Sequence, residues 1–358
     1  MQAVPSNTTF PVYSPPTEAF VNSLPGGETV PPDTTFPVYS PPTGVSVRNL
    51  PVSLFASVMG LSGLALAWRL AHSSLGVPAF IGEAIGAFAL GIFVLIVLGY
   101  LVKLTRYRAA VQAEFNHPVA GNFFGTIAIS ILLLSAVVGP YSEMAARAIW
   151  TVGVLATFWL SFVVASRLLK GSVDDTHAVP AWLIPGVATL DIAVTGAHMP
   201  MAWAPEINLL AGAVGGVLAL VLFVLIVRRL VHREPLAQGM TPSLMILVAP
   251  FAVGFLAYTN IVGGVDRFAS VLFYFALFLF VVIAPKVFRR SIKFSPAWWA
   301  ISFPMAALAN AALKYADARG TGQLWMVAVL LLAVLSVALA VLTVRTVRIA
   351  LNGNLLHA

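Results

Sequence analysis

Residues 294–304 read Phe-Ser-Pro-Ala-Trp-Trp-Ala-Ile-Ser-Phe-Pro and begin an apolar stretch with two prolines, Pro296 and Pro304. Pro296 suits the first position of a helix, because the N–H that proline lacks would be unpaired there in any residue. Pro304 lies two turns further on, where a proline frees a backbone carbonyl and bends the helix. A membrane helix tolerates such a break where neighbouring helices or a water-filled cavity satisfy the freed backbone groups. This stretch predicts a bent membrane helix with an aromatic side chain, Phe303, directly before the bend.

The composition of the whole chain indicates an integral membrane protein. Of its 358 residues, 59% are hydrophobic and 9% are charged, whereas soluble domains carry about 25% charged residues. The absence of cysteine excludes disulfides, thiolate metal sites and a cysteine nucleophile. We find no phosphate-binding loop, nucleophile elbow or metal-ligand spacing. We therefore expect no enzyme, no catalytic residues, no metal, no cofactor and no nucleic-acid partner, and we attribute the net charge of +7 to membrane topology.

Ten apolar segments follow residue 50, each near or above the ~20 residues that span a bilayer. We predict helices at about 51–71, 79–105, 118–138, 144–168, 180–198, 205–229, 242–262, 265–288, 295–315 and 322–348. The odd-numbered helices each begin at a proline, namely Pro51, Pro118, Pro180, Pro242 and Pro296. These prolines recur at intervals of about 60 residues, which predicts one helical hairpin used five times. The predicted fold class is all-α and integral to the membrane, with ten transmembrane helices in five hairpins.

The basic residues predict how these helices are oriented. Fifteen of the 20 Lys and Arg residues precede helix 1, follow helices 2, 4, 6 and 8, or lie at the end of helix 10. The other five are Arg69, Arg147, Arg267, Lys314 and Arg319. The positive-inside rule then places the first side, and both termini, in the cytoplasm. The basic loops would also attract anions from inside, or they serve only to fix the topology.

The chain divides into three regions. Residues 1–49 hold ten of the 24 prolines and repeat Thr-Thr-Phe-Pro-Val-Tyr-Ser-Pro-Pro-Thr at 8–17 and 34–43. Such a composition predicts a disordered cytoplasmic tail, which is either a tether or a docking motif for a partner. Residues 50–350 form the ten-helix domain, and 351–358 form a short cytoplasmic C-terminal tail.

The odd-numbered helices have features of an inner layer. They carry the internal prolines Pro185, Pro250 and Pro304 and are rich in small residues, which permit close packing. We therefore predict that the odd helices surround a central pore and that the even helices face lipid or a neighbouring subunit. In that arrangement Phe303 is either a plug in the pore or an ordinary packing residue.

Several stretches resemble the tellurite-resistance/dicarboxylate transporter (TDT) family, which includes bacterial TehA and the plant guard-cell slow anion channels. Residues 51–55, Pro-Val-Ser-Leu-Phe, and 59–68, Met-Gly-Leu-Ser-Gly-Leu-Ala-Leu-Ala-Trp, resemble helix 1 of that family. Residues 113–119, Ala-Glu-Phe-Asn-His-Pro-Val, look like its helix 2–3 junction. Residues 298–304 look like its helix 9, and are especially close to the plant channels. The resemblance covers residues 50 to about 350.

The resemblance implies an anion channel in the bacterial inner (plasma) membrane. It implies a homotrimer in which each subunit has its own pore, conducting small monovalent anions such as chloride and nitrate. It also implies that Phe303 is the gate. The residues that would fall on pore-lining helices are Phe55, Phe124, Pro250, Tyr258 and Pro304.

Helix 5 departs from the family pattern. Where an Asn-Phe pair commonly follows the internal proline, this chain continues from Pro185 to Asp191 as Gly-Val-Ala-Thr-Leu-Asp. Asp191 is eleven residues past Pro180, or about 16 Å along a helix, and so near the bilayer midplane. An ionisable residue at that depth is either a proton-coupling site or a neutral carboxyl bonded to a neighbouring helix. The alternative function is therefore a proton-coupled dicarboxylate (malate) carrier, or a sulfite or tellurite exporter.

Overall fold

The fold is all-α, as the sequence predicts. The computed structural model describes residues 46–171 and 175–356, and within these ranges it contains helices and no strand. The long segments are α1 Val52–Leu75, α2 Ala79–Arg106, α3 Ala120–Val138, α4 Glu143–Leu169, α5 Pro180–Thr195, α6 Ala204–His232, α7 Gln238–Val262, α8 Arg267–Val287, α9 296–319 and α10 Gly322–Leu351. Each overlaps one predicted helix, and eight are long and apolar enough to cross a bilayer. The exceptions are α5 and α9, so the number of ten spans stays a prediction.

The helices form two layers. In α1, α3 and α7, 61–78% of the most apolar stretch is buried, against 17–33% in α2, α4, α6, α8 and α10. Most residues of α5 and α9 are buried too. Each odd helix contacts the next odd helix, and α9 returns to contact α1, so that the odd helices form a closed ring. Each even helix packs outside this ring against the odd helix that precedes it.

All five odd helices begin with 3₁₀ turns. Their α-helical parts begin at Phe55, Phe124, Ile184, Ala249 and Ser302. Pro185 and Pro250 are the second residues of these α-helical parts, and Pro304 is the third. The sequence predicts that Pro304 bends a continuous α-helix, but this proline lies where 3₁₀ geometry changes to α-helix. A proline is tolerated there because N–H groups in the first turn of an α-helix lack an α-helical partner.

Small residues bring α1 and α9 into close contact. A Cβ atom at Gly63 would lie 2.7 Å from the Cβ of Ala306, and one at Gly60 would overlap the side chain of Ser302. The Ser302 hydroxyl donates a hydrogen bond to the backbone carbonyl of Ala56, at 3.0 Å. Because α9 carries Phe303, this contact fixes the position of that residue relative to α1.

A short helix that the sequence analysis missed, Arg108–Asn116, connects α2 to α3. Its Glu114 pairs with Lys103 at 2.6 Å, and the Lys103 side chain is only 4% exposed. Lys103 Nζ also donates to the Leu50 carbonyl at 2.7 Å. Lys103 is one of the fifteen basic residues on the predicted cytoplasmic side, but its charge is buried and neutralised at this junction.

The two ends of the described chain meet. Asn49 Nδ2 donates to the carbonyl of Leu356 at 2.9 Å, and the backbone N–H of Ser46 donates to the same carbonyl at 3.3 Å. Helix α1 begins at Val52 and α10 ends at Leu351, and the division of the chain into three regions stays a prediction. The repeated proline-rich segment, at 8–17 and 34–43, lies outside the described residues.

Candidate permeation pathway

Two cavities lie along the axis of the odd-helix ring. The narrow cavity has a volume of about 20 Å³ and the outer cavity one of about 680 Å³. Each is lined by residues of α1, α3, α5, α7 and α9, and the described residues that line them include none from an even helix. A volume of 20 Å³ accommodates little more than one water molecule. The ring therefore encloses a pathway that is open on one side and constricted on the other.

Phe303 lies between the two cavities. Its side chain lines both of them and is 6% exposed. Pro304, the next residue, lines the narrow cavity. Trp299 also lines the narrow cavity, and its Nε1 donates to Thr346 Oγ1 of α10 at 2.9 Å. The aromatic ring of Phe303 therefore lies at the constriction, on a helix that hydrogen bonds to both α1 and α10.

Phe55 and Phe124 were predicted to line the pore, but they pack between helices. The ring of Phe55 contacts Phe93 and Tyr100 of α2 edge-on, at centroid distances of 5.9 and 6.0 Å. Phe124 packs in the same way against Tyr100 at 6.1 Å and Phe115 at 5.0 Å. A pore-lining role for these two residues stays a prediction that this packing does not favour.

Pro250 and Tyr258 line a different cavity, of about 610 Å³, on the outside of α7. Its other walls come from α5, α6 and α8. The Tyr258 hydroxyl donates to Asp266 Oδ2 at 2.6 Å, and Asp266 also caps α8 by accepting a bond from the N–H of Ala269. Of the predicted pore residues, the structure therefore places Phe303 and Pro304 on the axis and puts Pro250 and Tyr258 on the periphery.

Asp191 lines the outer cavity together with Phe303. Its side chain is 1% exposed, and its Oδ2 has no hydrogen-bond partner among the residues that the structure describes. The expectation of a carboxyl bonded to a neighbouring helix finds no such bond at this oxygen. An unpaired charge away from water is costly. The protonation state of this carboxyl therefore determines whether the outer cavity contains a negative charge beside Phe303.

The outer cavity holds polar residues that the sequence did not predict there, among them Lys314 and Asn260. Lys314 is half-buried, and its Nζ donates to Asn260 Oδ1 at 2.5 Å. Asn260 Nδ2 in turn donates to the carbonyls of Ala193 and Val194 in α5, at 3.1 and 2.9 Å. The positive-inside count assigns Lys314 only to the less basic side of the membrane, and the structure adds that its side chain faces the cavity.

The spacing of residues along α9 could have revealed that Lys314 faces the outer cavity. The residues of α9 that line the outer cavity are Phe303, Ala307, Asn310, Leu313, Lys314 and Asp317. Apart from Leu313 they follow one another at intervals of four and three residues, which is the spacing of one helical face. The other ionisable residues around this cavity are Arg69, Asp191 and His198.

Comparisons with known proteins agree with this architecture. A family described as SLAC1, voltage-dependent anion channel, matches residues 49–347. The S-type anion channel SLAH2 of Arabidopsis thaliana is 30% identical over 318 residues, covering 86% of this chain and 59% of that protein. The guard cell S-type anion channel SLAC1 of Arabidopsis thaliana is 29% identical over 280 residues, covering 75% of this chain and 50% of that protein.

A bacterial relative is also found. The tellurite resistance protein TehA homolog of Haemophilus influenzae is 25% identical over 276 residues, covering 74% of this chain and 81% of that protein. The chain spans about half to three-fifths of the length of three of the plant channels that it matches, SLAH3, SLAH2 and SLAC1. The family resemblance noted in the sequence is confirmed by the match over residues 49–347, and the chain belongs to the SLAC1 voltage-dependent anion channel family.

Proposed function

We propose that this protein is an anion channel that conducts small monovalent anions, such as chloride and nitrate, and that Phe303 is its gate. The observation that carries the proposal is the position of Phe303 between two cavities that are each lined by all five odd helices. The relatives named as S-type anion channels support the class of transported ion. The family is named for channels rather than for enzymes.

The outer cavity carries charges of both signs, with the basic residues Arg69 and Lys314 and the acidic residues Asp191 and Asp317 in its lining. The two basic side chains supply a local attraction for an anion. At the other end the five odd helices point their N-termini toward the basic loops, and a helix N-terminus carries a partial positive charge. No Lys or Arg is found among the described residues that line the narrow cavity. Weak attraction without a tight charged site favours conduction, because the ion must leave as readily as it enters.

The assembly and location belong to the same proposal. The basic loops support a multi-pass membrane protein with both termini in the cytoplasm, and the bacterial relative supports the bacterial inner membrane as its location. We propose a homotrimer with one pathway in each subunit, and we expect small anions and the lipid bilayer as its partners.

The test is chloride flux from liposomes that contain the purified full chain. Phe303→Ala removes the ring at the constriction, so flux should rise at least about tenfold, as expected for lowering the permeation barrier by about 1.4 kcal/mol. Phe255→Ala is the control, because Phe255 is also buried but packs against Phe273 and Tyr315 and lines neither cavity. Unchanged flux in folded Phe303→Ala would contradict the gate assignment.

A second candidate function rests on Asp191. A buried carboxyl without a hydrogen-bond partner on Oδ2, in the cavity next to Phe303, suits a proton-coupled carrier of a dicarboxylate such as malate, or an exporter of sulfite or tellurite. In a carrier of this kind, a proton gradient drives uptake, and Asp191→Asn abolishes the coupling because an amide cannot release a proton.

Applying a pH gradient to the same liposomes separates the two functions. Flux that is small in the wild type, large in Phe303→Ala and independent of the gradient supports the channel. Flux that follows the gradient, does not rise in Phe303→Ala and is lost in Asp191→Asn supports the carrier.

A further inference from the structure

A groove on the outside of the helix bundle combines a cluster of arginines with an apolar wall. It has a volume of about 800 Å³ and lies between the end of α8, the loop 288–295, the start of α9, and α10. One end of the groove lies on the side of the bundle that carries most of the basic loops, which we call the basic face. This end contains Arg289, Arg290 and Arg345. We call it the arginine groove. It is separate from the two cavities on the axis of the ring.

The positive charge of the arginine groove is not neutralised locally. The described residues that line it include no Asp or Glu. Arg289 Nε donates to the Pro285 carbonyl at 3.4 Å, and the Arg345 guanidinium lies 5.6 Å from the centre of the Phe294 ring. These contacts leave most of the guanidinium N–H groups available. Planar guanidinium groups bind phosphate oxygens through paired hydrogen bonds, so the chemistry of the cluster fits a phosphate.

The apolar wall runs away from the arginines along α10. Ala333, Val337 and Val341 form an exposed stripe at intervals of four residues. From Arg345 back to Ala333 the helix covers about 18 Å. The hydrocarbon of one bilayer leaflet is about 15 Å deep. The stripe therefore has the length and polarity of an acyl chain whose head group is held at Arg345.

We propose that the arginine groove binds an anionic phospholipid, with its phosphate on Arg289, Arg290 and Arg345 and an acyl chain along α10. Basic pockets between membrane helices bind such head groups in general. Nothing in the apolar wall would hold a free phosphate, whereas a lipid uses both halves of the groove at once.

The bound lipid also acts on the gate, a step that rests on the proposed function. Trp298 lines the groove, and its Nε1 donates to the carbonyl of Lys293 in the loop 288–295, at 3.0 Å. Trp299, the next residue, lines the narrow cavity and precedes Phe303 by one turn. A head group that holds the loop against α10 therefore fixes the 3₁₀ start of α9, and with it the position of Phe303.

The test measures binding without transport. Native mass spectrometry of the full chain in detergent, titrated with phosphatidylglycerol or phosphatidylcholine, should show preferred retention of one phosphatidylglycerol per chain. The triple variant Arg289→Gln, Arg290→Gln, Arg345→Gln should bind it roughly a hundredfold more weakly, from the typical contribution of each surface arginine. The control removes as many exposed arginines from the same face, through Arg106→Gln, Arg108→Gln and Arg348→Gln, and should bind like the wild type.

A second variant separates a lipid from a soluble phosphate and does not depend on the folding of the triple variant. Ala333→Trp fills the apolar wall, so it should weaken phosphatidylglycerol binding and leave the arginines intact. Equal binding by the wild type and both groove variants would overturn the proposal. The proposal would also be overturned if glycerol 3-phosphate bound as tightly as phosphatidylglycerol. It would be overturned, too, if the groove variants changed the oligomeric state and lost no lipid. Since binding is read without flux, these results do not depend on whether the protein proves to be a channel.

Discussion

Glu114 joins three parts of the chain near the basic face. Its Oε2 accepts hydrogen bonds from Lys103 Nζ and the Tyr100 hydroxyl, at 2.6 and 2.8 Å, and its Oε1 accepts one from the N–H of Val52, at 2.8 Å. The side chain is only 14% exposed. One carboxylate thus connects the end of α2, the short helix that follows it and the 3₁₀ start of α1.

Replacement of Glu114 by glutamine should destabilise the protein. The variant keeps the size of the side chain but leaves the charge of Lys103 buried and uncompensated, which costs about 3–5 kcal/mol. The melting temperature in detergent should fall clearly. The matched control is Glu143→Gln, which removes the exposed pair between Glu143 and Arg147 and should cost less than about 1 kcal/mol. Equal melting temperatures for the two variants would show that the buried pair contributes no more than an exposed one.

Individual site residues differed in how far the sequence could predict them. Phe303 and Asp191 stand out in the sequence because each is unusual in its own segment, one before a proline and the other an acid in an apolar helix. Both line the outer cavity, and their roles stay predictions. Lys314 and Asn260 were missed because their role depends on a contact between α9 and α7. Phe55 and Phe124 begin the α-helical parts of their segments, and Phe303 is the second residue of its own, but the rings of Phe55 and Phe124 turn toward α2. Which way a side chain points around a helix is set by its neighbours.

The positions of the helices followed from hydropathy and proline spacing, but their internal geometry did not. All ten segments begin and end within a few residues of the predicted limits. The 3₁₀ starts of the odd helices were not predicted, because a proline marks where a segment begins and does not distinguish a 3₁₀ turn from an α turn. The short helix Arg108–Asn116 was missed because its nine residues are far too few to span a bilayer, and polar residues interrupt its apolar ones.

The contact between α1 and α9 gives a prediction for these two elements. Gly60→Ala places a methyl group against Ser302, one residue before Phe303, so we expect a loss of about 1–3 kcal/mol from overpacking. Gly91→Ala in α2 is the control, because a Cβ there meets no atom within 4 Å, and alanine favours a helix over glycine by up to about 1 kcal/mol. Thermal melting in detergent measures both. If Gly60→Ala is as stable as Gly91→Ala, the close packing of α1 on α9 is not required.

At the scale of the whole molecule, the ring of odd helices closes within a single chain. Because α9 contacts α1, both cavities on the axis are lined without a second copy of the protein. The even helices expose large apolar side chains on the outside, such as Leu95, Phe162 and Val217. That surface suits lipid or a neighbouring subunit, and neither is needed to complete the pathway.

Independent pathways predict how mixed oligomers behave. Wild-type and Phe303→Ala chains carrying different tags would be expressed together, and oligomers holding both would be purified and reconstituted. In a homotrimer with one pathway per subunit, chloride flux rises in proportion to the fraction of Phe303→Ala chains, because each substitution opens only the pathway of its own subunit. A pathway shared between chains would instead give flux that rises steeply only when most chains are mutant. Failure to recover oligomers with both tags would contradict the homotrimer while leaving the pathway within the single chain intact.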